Sequence, residues 1–381
     1  MRLTLHILAL LIAFSSCAQR PAIQCGDEQL EHVVALLKGK RVGLLVNHTA
    51  MVGKVHVVDT LLALGVQVKK IYAPEHGFRG KTEAGGDIHD EIDERSKLPV
   101  ISLYGKNMKP TPAQLEGVDV VVFDIQDVGV RFFTYISSLH YLLEACAENG
   151  KSVVILDRPN PNGSYVDGPV LKMEHKSFVG MHPIPIVHGL TVGELARMIN
   201  GQGWLAGGLK ADLQVVPVRN WTHNTPVSIP IRPSPNLPND LSILLYPSTC
   251  LFEGTVVSLG RGTDKPFQIY GHPDLSGPYT FTPHSIPGVA TKPPQENNLC
   301  KGVDLSDTRP SREFTLRYLL DAYRAFPDKA HFFNNYFNTL VGNRTLREQI
   351  EKGLTEQEIR ATWKADLDQY KVMRSQYLLY P

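Results

Sequence analysis

Cysteine is scarce in this chain, at five in 381 residues. Cys17, Cys25, Cys146, Cys250 and Cys300 form no CxxC pair and no Cys/His metal spacing, and their spread argues against a disulfide scaffold. An excess of one charge is also missing. The chain has 39 Lys and Arg against 38 Asp and Glu, a net charge of +1, which argues against nucleic acid as a partner. No G-x-G-x-x-G follows the first predicted strand. A dinucleotide therefore has no obvious seat, and an α/β pattern here does not imply a dehydrogenase. No internal repeat of fixed period is present. The apolar run from Leu3 to Phe14 falls short of the ~20 residues that span a bilayer.

What that run does resemble is an export signal. Met1-Arg2 gives a positive start, and Ser15-Ser16-Cys17-Ala18-Gln19 ends the run with small residues. Two cleavage points compete. A cut before Cys17 leaves a lipid-modified cysteine and a membrane tether; a cut after Ala18 releases the protein. The expectation is a leader over residues 1–18 of lipoprotein type, on an exported protein that is periplasmic or attached to the outer membrane.

Strands and helices alternate over residues 27–225. Apolar stretches at Arg41–Asn47, Val66–Ala73, Leu98–Leu103, Val118–Phe123 and Ser152–Leu156 read as strands. Between them, helical periodicity marks Asp27–Lys38, Lys54–Leu64 and Tyr135–Asn149, and Thr191 to Glu194 makes a capping box for a further helix. This predicts a Rossmann-like, doubly wound α/β domain. Residues 226–240 are crowded with proline and read as a rigid linker. Residues 241–381 read as a smaller α+β domain, with a strand at Leu251–Leu259, a helix at Phe314–Phe326, and capping boxes at Thr345 and Thr355. The active site is expected in the cleft between the domains.

Three strands end in polar clusters: Pro74-Glu75-His76-Gly77-Phe78-Arg79-Gly80, Asp124-Ile125-Gln126-Asp127-Val128-Gly129-Val130-Arg131, and Asp157-Arg158-Pro159-Asn160-Pro161. Open parallel sheets bind ligands at the carboxyl ends of their strands, so the three tips are expected to build one pocket. Glu75 lies between a proline and a glycine, and a tight turn there can aim its carboxyl into a cleft for general-acid work. It could equally cap its turn or pair with Arg79. His76 can orient Glu75, touch substrate or satisfy a loop carbonyl. Asp124 and Asp127 are candidates for a second catalytic carboxylate, or for a structural network with Arg131. Arg79, Arg131, Arg158 and Arg261 are candidate binders of an anionic group. In the second half, Asn236 follows Pro233-Ser-Pro, Glu253 sits in an apolar stretch and is expected to pair with Arg261 or face the cleft, and Gly260-Arg261-Gly262-Thr263 is a turn suited to anions.

These strings, in this order and over nearly the whole chain from Gly39, resemble the NamZ-type exo-β-N-acetylmuramidases. Val256-Val257 departs from the pattern. The resemblance implies hydrolysis of terminal N-acetylmuramic acid from the non-reducing end of peptidoglycan fragments, with no cofactor, metal or nucleotide. It implies catalytic roles for Glu75, Asp127 and Asp124. Substrate contacts are implied for His76, Arg79, Gln126, Arg131, Asp157, Arg158, Asn160, Asn236, Glu253, Arg261 and Thr263. Two other readings stay open on the residues alone: a non-catalytic muropeptide-binding lipoprotein, and a metal-dependent hydrolase using His76, Asp124 and Asp127.

Overall fold

The strand Arg41–Val46 is buried at every residue but its first and takes the middle of a seven-stranded sheet. The computed structural model describes residues 21–75, 77–79, 90–310 and 312–381; the leader, Cys17 and His76 lie outside them. The strand order is Asp212–Val216, Ser152–Leu156, Val120–Asp124, Arg41–Val46, Gln67–Ala73, Pro99–Ser102 and Glu91–Ile92. Every pairing is parallel except that of the last, short edge strand. The chain winds outward in one direction from Arg41–Val46 and in the other from Val120–Asp124. Their carboxyl ends therefore form the switch point of a doubly wound sheet.

Residues alternate between the two faces, as the pleat requires. Val42, Leu44, Val46, Val120 and Val122 pack with the helices Leu30–Leu37 and Val57–Ala63. Leu45, Val121, Phe123, Val153 and Ile155 pack with Tyr135–Glu148 and Val192–Gly201. Gly43 has to be small, because a Cβ there would lie 2.7 Å from the Tyr72 ring.

The residues from Pro226 to Asn239 carry no helix or strand. Beyond them come the helix Asp240–Thr249 and a three-stranded antiparallel sheet of Ile269–His272, Cys300–Asp304 and Tyr279–Phe281. The helices Arg317–Ala325, Phe337–Val341, Thr345–Glu351 and Glu356–Ser375 follow. Phe252, Phe314, Phe332 and Trp363 from this half join the same apolar cluster as Phe123 and Ile136, so the halves share one core. The last helix returns to the first half: Arg360 pairs with Asp167 at 2.5 Å, and the Tyr370 hydroxyl donates to His188 O at 2.7 Å.

Three local expectations change. Leu251–Leu259 is not a strand. Cys250–Gly254 is a 3-10 turn, whose Gly254 packs so closely that a Cβ would lie 2.6 Å from Phe337 Cα. The second helix starts at Val57 rather than Lys54, because Val55–His56 pairs with Met51–Val52 as a hairpin and the His56 ring accepts from Val58 N–H at 3.2 Å. Thr345 does not cap its helix; Asn343 Oδ1 accepts from Leu346 N–H instead. The Thr191 and Thr355 capping boxes form as expected.

Candidate active site

Pro74 to Gly77 make a tight turn at the tip of Gln67–Ala73. Gly77 N–H donates to Pro74 O at 2.9 Å, and Gly77 takes a φ of +74°, which glycine adopts without steric cost. The Glu75 carboxyl is held from two sides. The Tyr104 hydroxyl donates to one oxygen at 2.9 Å and the Thr134 hydroxyl to the other at 3.0 Å. Tyr104 lies just past the neighbouring strand Pro99–Ser102, and Thr134 opens the helix Tyr135–Glu148. Two adjacent elements thus fix one side chain.

Glu75 lines a hollow of about 310 Å³. Its floor is buried and mostly aromatic: Phe132, Phe133, Tyr135, Tyr246, Cys250 and Leu340. Across it stand Glu253, Arg261 and Tyr336 from the second half. Burial, and then the charge of Glu75, push the Tyr135 phenol above its usual range. Burial, with Glu253, Cys250 and Glu75, does the same to Tyr336, so one ring feels both carboxylates.

Glu253 and Arg261 pair as expected. Arg261 Nε and Nη2 both donate to Glu253 Oε1, at 3.1 and 2.6 Å. Among the described residues Glu253 Oε2 and Arg261 Nη1 make no hydrogen bond, so both atoms remain available to a ligand. The guanidinium also lies 5.1 Å from the centre of the Phe267 ring. The loop that carries it turns at Gly260 and Gly262, with φ of +85° and +79°. Thr263 closes the turn by donating to Gly260 O at 2.7 Å and does not line the hollow.

The other strand tips do not join Glu75; they are closed by distant parts of the chain. Asp124 is fully buried and accepts from Arg158 Nε at 2.6 Å and Nη2 at 3.2 Å. Arg158 also donates to Asp27, 131 positions away, at 2.6 Å. Both candidates are therefore spent in a buried triad. Asp157 accepts from the hydroxyls of Thr191 and Tyr380, each at 2.6 Å, and from Gly193 N–H at 2.8 Å. It anchors the carboxyl-terminal tail. Gln126 donates to Asp127 O and Pro159 O, and Asn160 to Leu190 O.

Arg131 is corrected most sharply. It is 1 % exposed and reaches no ligand space. Its guanidinium donates to the carbonyls of Pro169, Ile184, Leu340 and Val341, so it ties the two halves together. Arg79 pairs with Asp93 at 2.9 Å. Asn236 donates to Val289 O at 2.8 Å and braces a loop. Asp127 is buried behind the hollow rather than lining it. Its Oδ2 accepts from Gly129 N–H at 2.6 Å, and burial pushes its carboxyl up to about 7.

The strand tips thus bring one carboxylate, Glu75, to the hollow, and the second half brings Glu253 with Arg261. Tyr104 was missed, although it too follows the tip of a parallel strand and the same rule would have found it. Thr134 sits inside the quoted Asp124–Tyr135 stretch. Tyr336 carries no local signal. Among the described residues no group of three or more His, Cys, Asp or Glu is placed to hold a metal ion.

A doubly wound sheet, a second α+β part, and two carboxylates facing an aromatic hollow define a two-part α/β fold with an acid-lined pocket suited to a saccharide. Residues 42–241 match the family model described as exo-beta-N-acetylmuramidase NamZ, N-terminal, and residues 244–380 match its C-terminal counterpart. The chain belongs to the NamZ exo-β-N-acetylmuramidase family. Peptidoglycan beta-N-acetylmuramidase NamZ of Bacillus subtilis (strain 168) is 37% identical over 387 residues, which cover 95% of this chain and 92% of that protein. Two crystal structures of DUF1343 family proteins from Bacteroides fragilis NCTC 9343 share the fold. One has a TM-score of 0.88 at 49% identity, the other 0.82 at 30%; each match covers 94% of this chain and 99% of the other.

Proposed function

We propose that this chain is a glycoside hydrolase that releases N-acetylmuramic acid from the non-reducing end of peptidoglycan fragments, with Glu75 as general acid. The observation that carries the reading is the hollow shared by Glu75, Glu253 and Arg261, in a member of a family described as exo-β-N-acetylmuramidases. Glycosidic cleavage needs a carboxylic acid to protonate the leaving oxygen and a second group on the other side of the sugar. Glu75 takes the first role. Tyr104 and Thr134 fix its rotamer, which holds the proton where the leaving oxygen arrives. Glu253, and not Asp124 or Asp127, takes the second. Arg261 holds its Oε1, while Oε2 is left to activate water or to meet the sugar. The acidic side arm of muramic acid finds its cation in Arg261 Nη1. Phe132, Phe133 and Tyr246 offer apolar ring faces against which a sugar excludes water.

The leader expected over residues 1–18 would place this chemistry outside the cytoplasm, where cell-wall fragments are met, and lipid on Cys17 would tether it to a membrane. Incubation with a chromogenic muramic acid glycoside, with the glucosamine glycoside as control, tests the activity. Release from the first and not the second supports it. Binding of a muramyl disaccharide without turnover would instead identify a muropeptide-binding lipoprotein.

A further inference from the structure

A second hollow, of about 420 Å³, adjoins the first and shares its Glu253, Arg261 and Tyr336 wall. The two differ in character. The Glu75 hollow has a buried aromatic floor, whereas the rim of the second is exposed at Lys292, Pro294 and Tyr336. One lobe of the cleft thus has a buried floor and holds the acid, and the other is exposed at its rim. Among the described residues Lys292 has no hydrogen-bond or ion-pair partner, and it stands on a wall with Val289, Ala290, Thr291, Pro293 and Pro294.

That wall is braced. Asn236 Nδ2 donates to Val289 O at 2.8 Å, and Gln295 Nε2 donates to Val256 O at 3.0 Å. Pro293 packs on the loop that carries Arg261 so tightly that a Cβ on Gly262 would lie 2.6 Å from Pro293 Cγ. A prebuilt concave surface of this kind avoids the cost of ordering a loop on binding.

We infer that the second lobe is the subsite for the saccharide on the leaving side of the scissile bond, and that Lys292 binds a carboxylate which that saccharide carries. This rests on reading the Glu75 hollow as the seat of the terminal sugar. Cleavage at a chain end needs a seat for the sugar removed and an open path for the remainder. The lobe floored by buried rings suits the first, and the lobe with the exposed rim suits the second. The Tyr336 ring and the prolines present flat apolar surfaces to the faces of a pyranose. Lys292 gives this lobe a cation that the Glu75 hollow does not share.

The test compares two substrates: a chromogenic muramic acid glycoside, whose small leaving group carries no carboxylate, and a muramic-acid-terminated tetrasaccharide, whose leaving portion carries one. The readout is the ratio of kcat/KM for the tetrasaccharide to that for the glycoside. Lys292→Glu is expected to lower this ratio about three- to fivefold, as befits an exposed charge pair, through KM and more strongly at low salt. Lys54→Glu, an exposed charge change elsewhere, leaves the ratio where it was. A ratio unaltered by Lys292→Glu, or lowered equally by Lys54→Glu, overturns the assignment. Wild-type protein inert toward both substrates would instead refute the proposed function.

Discussion

Replacing Arg131 with methionine is expected to cost stability rather than substrate affinity. The guanidinium uses four of its five N–H groups on four buried carbonyls; Ile184 O keeps its bond from Leu171 N–H, so Met strands three. Each stranded buried acceptor costs about 1–3 kcal/mol, so the loss is about 6 kcal/mol at mid-range. Against this, Arg131 is a buried cation with no carboxylate partner, and burial pulls its ordinary value of 12.5 down to about 9. Removing that unpaired buried charge returns part of the loss. The balance is a destabilisation of about 3 kcal/mol, the upper end of what single substitutions usually cost. Arg131→Lys should fare little better, since an ammonium cannot span carbonyls from Pro169 to Val341. Urea unfolding followed by fluorescence measures the loss, and hydrogen exchange should locate it at the Phe337–Val341 helix. A variant within about 0.5 kcal/mol of wild type, by the usual scale of neutral substitutions, with a raised KM would refute the structural role and restore Arg131 as a ligand residue.

Asp127→Asn should alter the pH dependence of stability. The Asp127 carboxyl rises from 3.8 to about 7 on folding, so its favourable contribution is complete below pH 3.8 and lost as pH rises through 7. Between pH 5 and pH 8 the wild type should lose about 3 kcal/mol relative to the variant; parallel urea midpoints would contradict this. Gly262→Ala would place a methyl group at a φ of +79°, 2.5 Å from His284 O, and should lower stability by about 2–3 kcal/mol while displacing Arg261. Unchanged turnover in a folded variant would remove Arg261 from the site. Cys17→Ser should move the protein from the membrane fraction to the soluble one, and unaltered partitioning would favour the cut after Ala18.

Much of the first half could be read from the sequence, because a sheet buried on both faces writes its strands as apolar runs. Val118–Phe123 and Ser152–Leu156 are of this kind, and the Gly77 turn aimed Glu75 as its neighbours suggested. The pairing of Glu253 with Arg261 was also legible, since a charge in an apolar stretch needs a partner nearby. The failure lay in treating every polar strand tip as ligand space. Asp124 and Asp157 face inward because Asp27 and Tyr380 cover them, and those partners stand 131 positions from Arg158 and 223 from Asp157. A local pattern carries no trace of such closure. Arg131 is the same case, with carbonyl partners that sequence cannot display. The strand expected at Leu251–Leu259 failed because a short buried turn and a buried strand make the same apolar demand.

The role of Glu75 is tested most directly by Glu75→Gln, which keeps the shape and an acceptor for Tyr104 or Thr134 but removes the acidic proton. Turnover of a chromogenic muramic acid glycoside with a poor leaving group should fall at least a hundredfold, within the range for loss of a general acid, at unchanged thermal stability. Glycoside release at the wild-type rate by a folded Glu75→Gln variant would contradict the account.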